Sequence, residues 1–205
     1  MPKAYDPSLT MRAARDRYFE DNGFGADGGY SSPWVDFKLG PIPMPFPNTA
    51  GRVRAVRYHD LHHIVTGYAT DTLGELEISA WELGAGCKDF WMAWQLNLGG
   101  LAAGTLSAPR RTFRAFVRGR RTHTLYGRDL EALLDRTVGE ISEDLGTDRP
   151  AQATFADLAL FIVAALFGMV IGLLTFGLLV VVGGPLLFLG LKLRRTAQAA
   201  PAAGA

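Results

Sequence analysis

Three of the chain's four histidines fall within five residues, in the stretch His59-Asp60-Leu61-His62-His63. On a helix that advances about 100° per residue, His59 and His63 share one face, Asp60 flanks that face and His62 turns away from it. Two imidazoles at positions i and i+4 can grip one metal ion, as they do in helical zinc motifs. The stretch therefore predicts a helical metal site, with His62 at the surface or behind the ligands.

A carboxylate, Glu75, follows His63 after a further eleven residues. The turn 69–71 separates a predicted helix over 52–68 from a second helix that begins at Thr72, and a short turn makes such helices antiparallel. Glu75 is thereby carried back toward the histidine pair. Two nitrogens and two carboxylates can then converge, and mixed N/O ligation suits zinc, manganese, iron or cobalt. The aspartate of the stretch can act as a ligand or as a base.

Several of these residues also have a simpler structural interpretation. Thr72 and Glu75 match S/T-x-x-E, so Glu75 could only close a capping box at the start of its helix. Glu82 is interpreted as an ordinary helix charge, although it lies two turns from Glu75 and near the same face. His123 is interpreted as a solvated histidine, and Cys87 as a core residue.

Other histidine-based sites need residues that this sequence lacks. Membrane desaturases need several H-x-x-H-H boxes, and only His123 remains outside the first. HD-type phosphohydrolases need a histidine upstream of the HD pair, whereas none precedes His59. Ferritin-like di-iron sites use two Glu-x-x-His motifs, and the chain has none. The pattern that remains is H-D-x-x-H-x(11)-E.

This pattern, carried by His59, Asp60, His63 and Glu75, resembles the signature of the Coq-four family of ubiquinone-biosynthesis proteins. The resemblance extends over residues 6–145 and implies an all-helical domain. It implies that these four residues hold a divalent metal, with zinc favoured and manganese, iron or cobalt compatible. It also implies that the site adjoins a cavity for a prenylated benzenoid head group, on which His59, Asp60 and His63 act.

Two functions follow from the resemblance, and both stay open at this point. The first is a membrane-tethered, metal-dependent lyase or oxidative decarboxylase that decarboxylates or hydroxylates C1 of the prenylated ring, with the metal as Lewis acid. The second is a non-catalytic prenyl-lipid-binding scaffold that organises other quinone-biosynthesis proteins. Trp81, Phe90, Trp91 and Trp94 could line the head-group pocket, although their helical spacing is also typical of a core.

Composition and charge limit the classes of partner that we expect. With 21 basic and 20 acidic residues the net charge is +1, which does not favour a nucleic-acid binder. The single cysteine, Cys87, cannot form an internal disulfide, and residues 1–18 hold no apolar signal core. We therefore expect a cytoplasmic polar part whose partners are the quinone precursor and a lipid bilayer, with self-association compatible.

The polar part is predicted to be helical, with one extended exception. Asp6-Pro7 should begin a helix that Gly23 ends, and the prolines at every second position of 41–47 favour an extended, polyproline-like strap. The helix that begins at Thr72 should run to about residue 98, with bends at Gly84 and Gly86.

The later polar part contains a strongly basic segment. Seven arginines and no acid lie in 110–128; they could hold the domain on anionic lipid or form a solvated face. Thr137 and Glu140 form a capping box whose helix Gly146 could close.

The C-terminal part is apolar. Residues 155–191 exceed one membrane span of about 20 residues, which predicts a transmembrane hairpin that breaks near 175–177. The basic residues Lys192, Arg194 and Arg195 then place domain and tail together in the cytoplasm, at the inner (cytoplasmic) membrane. A single span followed by an interfacial segment, or a buried helix pair, is the alternative. The expected division is a helical domain over 1–150, a hairpin over 151–193 and a flexible tail over 194–205.

Overall fold

The computed structural model describes residues 4–35, 38–39, 42–43 and 45–178. This part of the chain is mostly helical, which confirms the all-α prediction. Its eight helices are α1 Met11–Asn22, α2 Ala50–Thr66, α3 Thr72–Ala85, α4 Trp91–Ser107, α5 Pro109–Arg120, α6 Leu130–Leu134, α7 Val138–Leu145 and α8 Phe155–Leu178.

The segment between α1 and α2 forms two short antiparallel ladders instead of a polyproline-like strap. Strand β1 (Trp34–Val35) pairs with β4 (Phe46–Pro47), and β2 (Lys38–Leu39) pairs with β3 (Ile42–Pro43). Proline lacks the N–H that an inner strand needs, but it is compatible with the edge of a two-residue ladder. The alternating prolines therefore exclude a helix here without excluding pairing.

Helix α1 begins later than expected and ends where expected. Its N-cap is Thr10, whose hydroxyl accepts from Ala13 N–H, because Asp6 instead closes a turn with Ser8. Gly23 ends the helix at φ 68, a left-handed conformation that glycine adopts without strain.

The long helix predicted from Thr72 to residue 98 is two helices. Gly86 follows α3 with φ 90 and ψ 130, and Lys88 has φ 47, so the chain turns before α4 starts. Of the two glycines that suggested a bend, Gly86 therefore ends the helix. Gly84 serves a different purpose, because a Cβ there would lie 2.3 Å from the Phe116 carbonyl oxygen.

Helices α3 and α5 pack backbone to backbone, and this contact fixes the helix that carries both site glutamates. A Cβ on Gly119 of α5 would lie 2.1 Å from the Trp81 carbonyl oxygen of α3. Helix α7 has the predicted capping box of Thr137 and Glu140, and Gly146 closes it at φ 72.

Helix α8 is the described helix that is long and apolar enough to cross a membrane, over Phe155–Leu174. Its first half packs on the domain: Phe161 stacks edge-on against Phe113 and Phe116 of α5. A Cβ on Gly168 would lie 2.4 Å from the Leu98 carbonyl oxygen of α4. Helix α8 therefore packs on the helical domain and is not a free tether. The predicted domain boundary at residue 150 stays a prediction.

The position of the predicted hairpin turn is wrong, because α8 continues through 175–177 to Leu178. Threonine and a single glycine are tolerated inside an apolar helix, so these residues do not force a break. The second arm of the predicted hairpin and the tail over 194–205 lie outside the described residues.

Candidate metal centre

Three of the predicted ligands come together at one end of α2 and the start of α3. One ligand atom each of His59, His63 and Glu75 lie within 4.8 Å of one another. The two histidine Nε2 atoms are 3.1 Å apart, and the Glu75 carboxylate oxygens lie 3.3 Å from His59 Nε2 and 3.4 Å from His63 Nε2. The i and i+4 spacing and the short turn to α3 produce this convergence, as predicted.

The hydrogen-bond partner of Nδ1 in each imidazole ring indicates which of the two ring nitrogens carries the proton. His63 Nδ1 lies 2.9 Å from the Tyr68 carbonyl oxygen, which can only accept, so Nδ1 carries the proton. His59 Nδ1 lies 3.0 Å from Glu82 Oε1, a carboxylate that also accepts. When both rings are neutral, each therefore turns an unprotonated Nε2 toward the other and toward Glu75.

Three acceptors that face one another require a cation between them, either a proton or a metal ion. Four ligands at about 2.0–2.1 Å in a tetrahedron lie about 3.4 Å from one another, close to the three distances measured here. The Glu75 side chain is 45% exposed and that of His63 is 1% exposed, so the group opens to solvent on one side. The residues fit a zinc-like divalent ion with a position left for water or substrate.

Asp60, the fourth predicted ligand, is placed beside this group and not in it. Its carboxylate accepts from Tyr30 at 2.6 Å and faces the Tyr18 hydroxyl at 3.5 Å. Burial raises the pKa of Asp60, although His59 and the Tyr30 hydrogen bond oppose the rise. The position about 100° around the helix explains this placement, because α1 and its loop cover that side of α2.

Glu82, interpreted from sequence as an ordinary helix charge, is the buried centre of the site, and this interpretation is wrong. Its side chain is 1% exposed. Besides His59, it accepts from His62 Nδ1 at 2.7 Å, Asn97 Nδ2 at 2.5 Å and the Tyr126 hydroxyl at 2.8 Å. Four donors thus satisfy a carboxylate that has no exposure to water.

Of the two predicted locations of His62, the structure has the one behind the ligands, where the side chain is fully buried. Its Nε2 lies 3.0 Å from the Leu125 backbone N–H, an obligate donor, so Nε2 must accept and Nδ1 must donate to Glu82. A second proton would leave Leu125 N–H facing a donor. Burial, in agreement with this, lowers the pKa of His62.

The electrostatics of the group favour a bound cation. Burial alone lowers the pKa of His59, but the carboxylates of Glu82 and Glu75 outweigh it and hold the pKa well above 6.5. Burial raises the pKa of Glu82, but His59 and His62 outweigh it and hold it well below 4.5. The carboxylates therefore stay ionised and attract positive charge to the imidazole pair.

The remaining predicted site residues separate into core and surface. Trp81 and Phe90 are buried, whereas Trp91 and Trp94 are 65% and 38% exposed. Cys87 is buried as expected, and His123 is exposed as expected. The capping box of Thr72 with Glu75 is not formed, because the N-cap of α3 is Asp71, whose side chain accepts from Gly74 N–H.

Compared with known proteins, the chain matches no protein-family profile, no curated protein and no solved structure.

Proposed function

We propose that the chain is a membrane-associated, metal-dependent protein of prenyl-quinone biosynthesis that acts at C1 of a prenylated benzenoid ring. The observation that carries the proposal is the convergence of two imidazole Nε2 atoms and one carboxylate, which lie 3.1–3.4 Å from one another. His59, His63 and Glu75 would hold the ion, which leaves Asp60 for another role. The motif shared with the Coq-four family supports the substrate class.

The bound divalent ion would supply Lewis-acid polarisation of a ring carboxylate or phenolate oxygen. Glu75, on the solvent side, and His59, with 19% of its side chain exposed, leave an approach for that oxygen. Glu82 and the Tyr68 carbonyl hold the two rings in the tautomer that presents Nε2.

Asp60 is the residue to which we assign proton transfer. Its raised pKa follows from burial, and Tyr30 and Tyr18 face its oxygens. A buried carboxyl of this kind can pass a proton to or from a reacting ring carbon. Loss of carbon dioxide from C1 needs such a proton donor.

The membrane association rests on α8, whose window Phe155–Leu174 has a mean hydropathy of 2.5 and is 22% buried. A prenylated substrate resides in the bilayer, so an enzyme at the membrane shares a thin layer with it and gains effective concentration. We propose the inner (cytoplasmic) membrane, with the helical domain on the cytoplasmic side.

The test combines metal content with complementation. We expect about one divalent ion per purified chain, and His63→Ala should lose the ion and fail to rescue a quinone-deficient host. His123→Ala, which changes an exposed histidine, should keep both. Rescue by His63→Ala would instead favour the non-catalytic scaffold for prenyl lipids. Equal metal in wild type and His63→Ala would contradict the metal site itself.

A further inference from the structure

Helix α4 has no charged residue on either of its faces. From Phe90 to Pro109 the chain has no Asp, Glu, Lys, Arg or His, whereas charged residues flank this stretch on both sides. A helix with one face in water normally carries charges on that face. The α4 side that does not pack on the domain instead exposes large apolar residues, which are Trp91, Trp94, Leu96 and Leu106 at 65%, 38%, 48% and 76%.

The outer face of α8 has the same character. Its one charged residue within the apolar segment, Asp157, is buried and paired with Arg120, the last residue of α5, and with Arg121, which follows it. The exposed large hydrophobic residues of α8 are Phe155, Leu158, Leu160, Ile162, Val163, Leu166, Phe167, Val170, Leu173 and Leu174. Together, α4 and α8 contribute fourteen of the seventeen exposed large hydrophobic residues in the described part of the chain.

The two apolar faces adjoin because α4 and α8 pack side by side. Gly168 lets the α8 backbone approach Leu98 of α4 closely, and Ala102 lies in the same contact. The exposed sides of both helices flank this line of contact. They form one surface, which we call the α4–α8 face. Its fourteen exposed large hydrophobic residues exceed the isolated apolar patches that a water-soluble domain usually exposes.

We infer that the α4–α8 face contacts the hydrocarbon of a phospholipid bilayer, so that α4 is a lipid-facing element together with α8. The inference deepens the proposed function and rests on its membrane association. An interface with a protein partner normally has a polar rim of hydrogen-bonding groups. No side chain of α8 over residues 158–174 offers such a group. Trp91 and Trp94 at the start of α4 suit the boundary between lipid and water.

The inner face of α4 connects this surface to the metal centre. Asn97, buried on that face, donates to Glu82 Oε2 at 2.5 Å, and Glu82 Oε1 holds the His59 ring. One helix, about 10 Å across, therefore separates the bilayer from the residues that orient a ligand.

The test measures lipid exposure by spin labelling of the full chain in phosphatidylcholine nanodiscs. Single cysteines replace Leu96, Leu106 or Leu166, with Glu143 on α7 as the exposed control and Cys87→Ser as the background. Oxygen concentrates in lipid and a neutral nickel chelate in water. We expect at least twofold stronger relaxation by oxygen than by nickel at the α4 and α8 positions, and the reverse at Glu143.

Nickel-dominated relaxation at Leu96 and Leu106 would overturn the inference, whatever Leu166 reports. Spin–spin broadening at Leu96 in discs that hold two chains would assign the face to a second copy and would overturn it as well. Metal content measured on the same samples separates this result from the proposed function: lipid-facing labels on a metal-free chain would support the α4–α8 face while contradicting the metal site.

Discussion

Glu82 Oε1 lies 3.0 Å from His59 Nδ1, on the side of the ring opposite the metal group. The contact makes a carboxylate–histidine pair of the kind that orients a ligand and raises its basicity. Because Glu82 is buried and also receives His62, Asn97 and Tyr126, its position is set by the fold and not by the ion.

We predict that Glu82→Gln weakens metal affinity about 10–100-fold, because an amide lacks the charge and one of the acceptor oxygens that hold His59. Glu77→Gln is the matched control, since Glu77 lies on the same helix but pairs with Arg111 at the surface. Titration with a competing chelator measures both. Equal affinities for the two variants would show that Glu82 has no part in positioning the ligand.

We predict that His62→Ala destabilises the fold by about 2–4 kcal/mol without removing a metal ligand. The change opens a cavity and leaves both the Leu125 N–H and one Glu82 contact without a partner. His123→Ala, at an exposed position, should change the free energy of unfolding by less than about 0.5 kcal/mol. Denaturant unfolding of the full chain in detergent compares them, and similar midpoints would contradict the buried role.

The helix spacing and the short turn were enough to predict that His59, His63 and Glu75 meet, because these are local relationships. The role of Glu82 had a weak signal, since it lies two turns from Glu75. The hydrogen-bond donors to Glu82 could not be predicted, because Asn97 and Tyr126 come from distant parts of the chain. The sequence left the location of His62 open between the surface and the back of the ligands, because Leu125, its other partner, reaches it only through tertiary packing.

The fold class could be predicted from the sequence, whereas the helix ends and the strand pairing could be predicted only in part. Proline and glycine positions located the first extended segment and the end of α1, but not the strand pairing. A glycine alone did not indicate whether a helix bends, ends or makes a close contact: Gly86 ends α3, whereas Gly84 approaches Phe116. The docking of α8 depends on Asp157, whose arginine partners lie in α5 and beyond it.

We predict that Asp157→Asn loosens α8 from α5 and costs about 1–3 kcal/mol. The carboxylate receives Arg120 and Arg121 and also caps its own helix through Thr154 N–H. Hydrogen exchange over the first two turns of α8 should rise, while Asp148→Asn, at an exposed residue, should leave it unchanged. Unchanged exchange in Asp157→Asn would mean that apolar packing alone holds α8.

We predict that metal binding releases about one proton per ion at pH 7. The pKa of His59 is raised, so the metal-free His59 ring keeps a proton above pH 6.5, and the ion must displace it. Apparent affinity should therefore increase as the pH rises toward the raised pKa, and level off above it. Calorimetry in buffers of different ionisation enthalpy gives the proton count. A count of zero with affinity independent of pH would contradict the raised pKa.

The central claim is that two imidazoles and one carboxylate hold a divalent ion, and X-ray absorption of the zinc-loaded chain tests it most directly. We predict a shell of nitrogen and oxygen at about 2.0–2.1 Å with outer scattering from two imidazoles, and His63→Ala should retain too little zinc to give this spectrum. An unordered shell, sulfur at about 2.3 Å, or the same spectrum in the His59→Ala/His63→Ala double variant would contradict it.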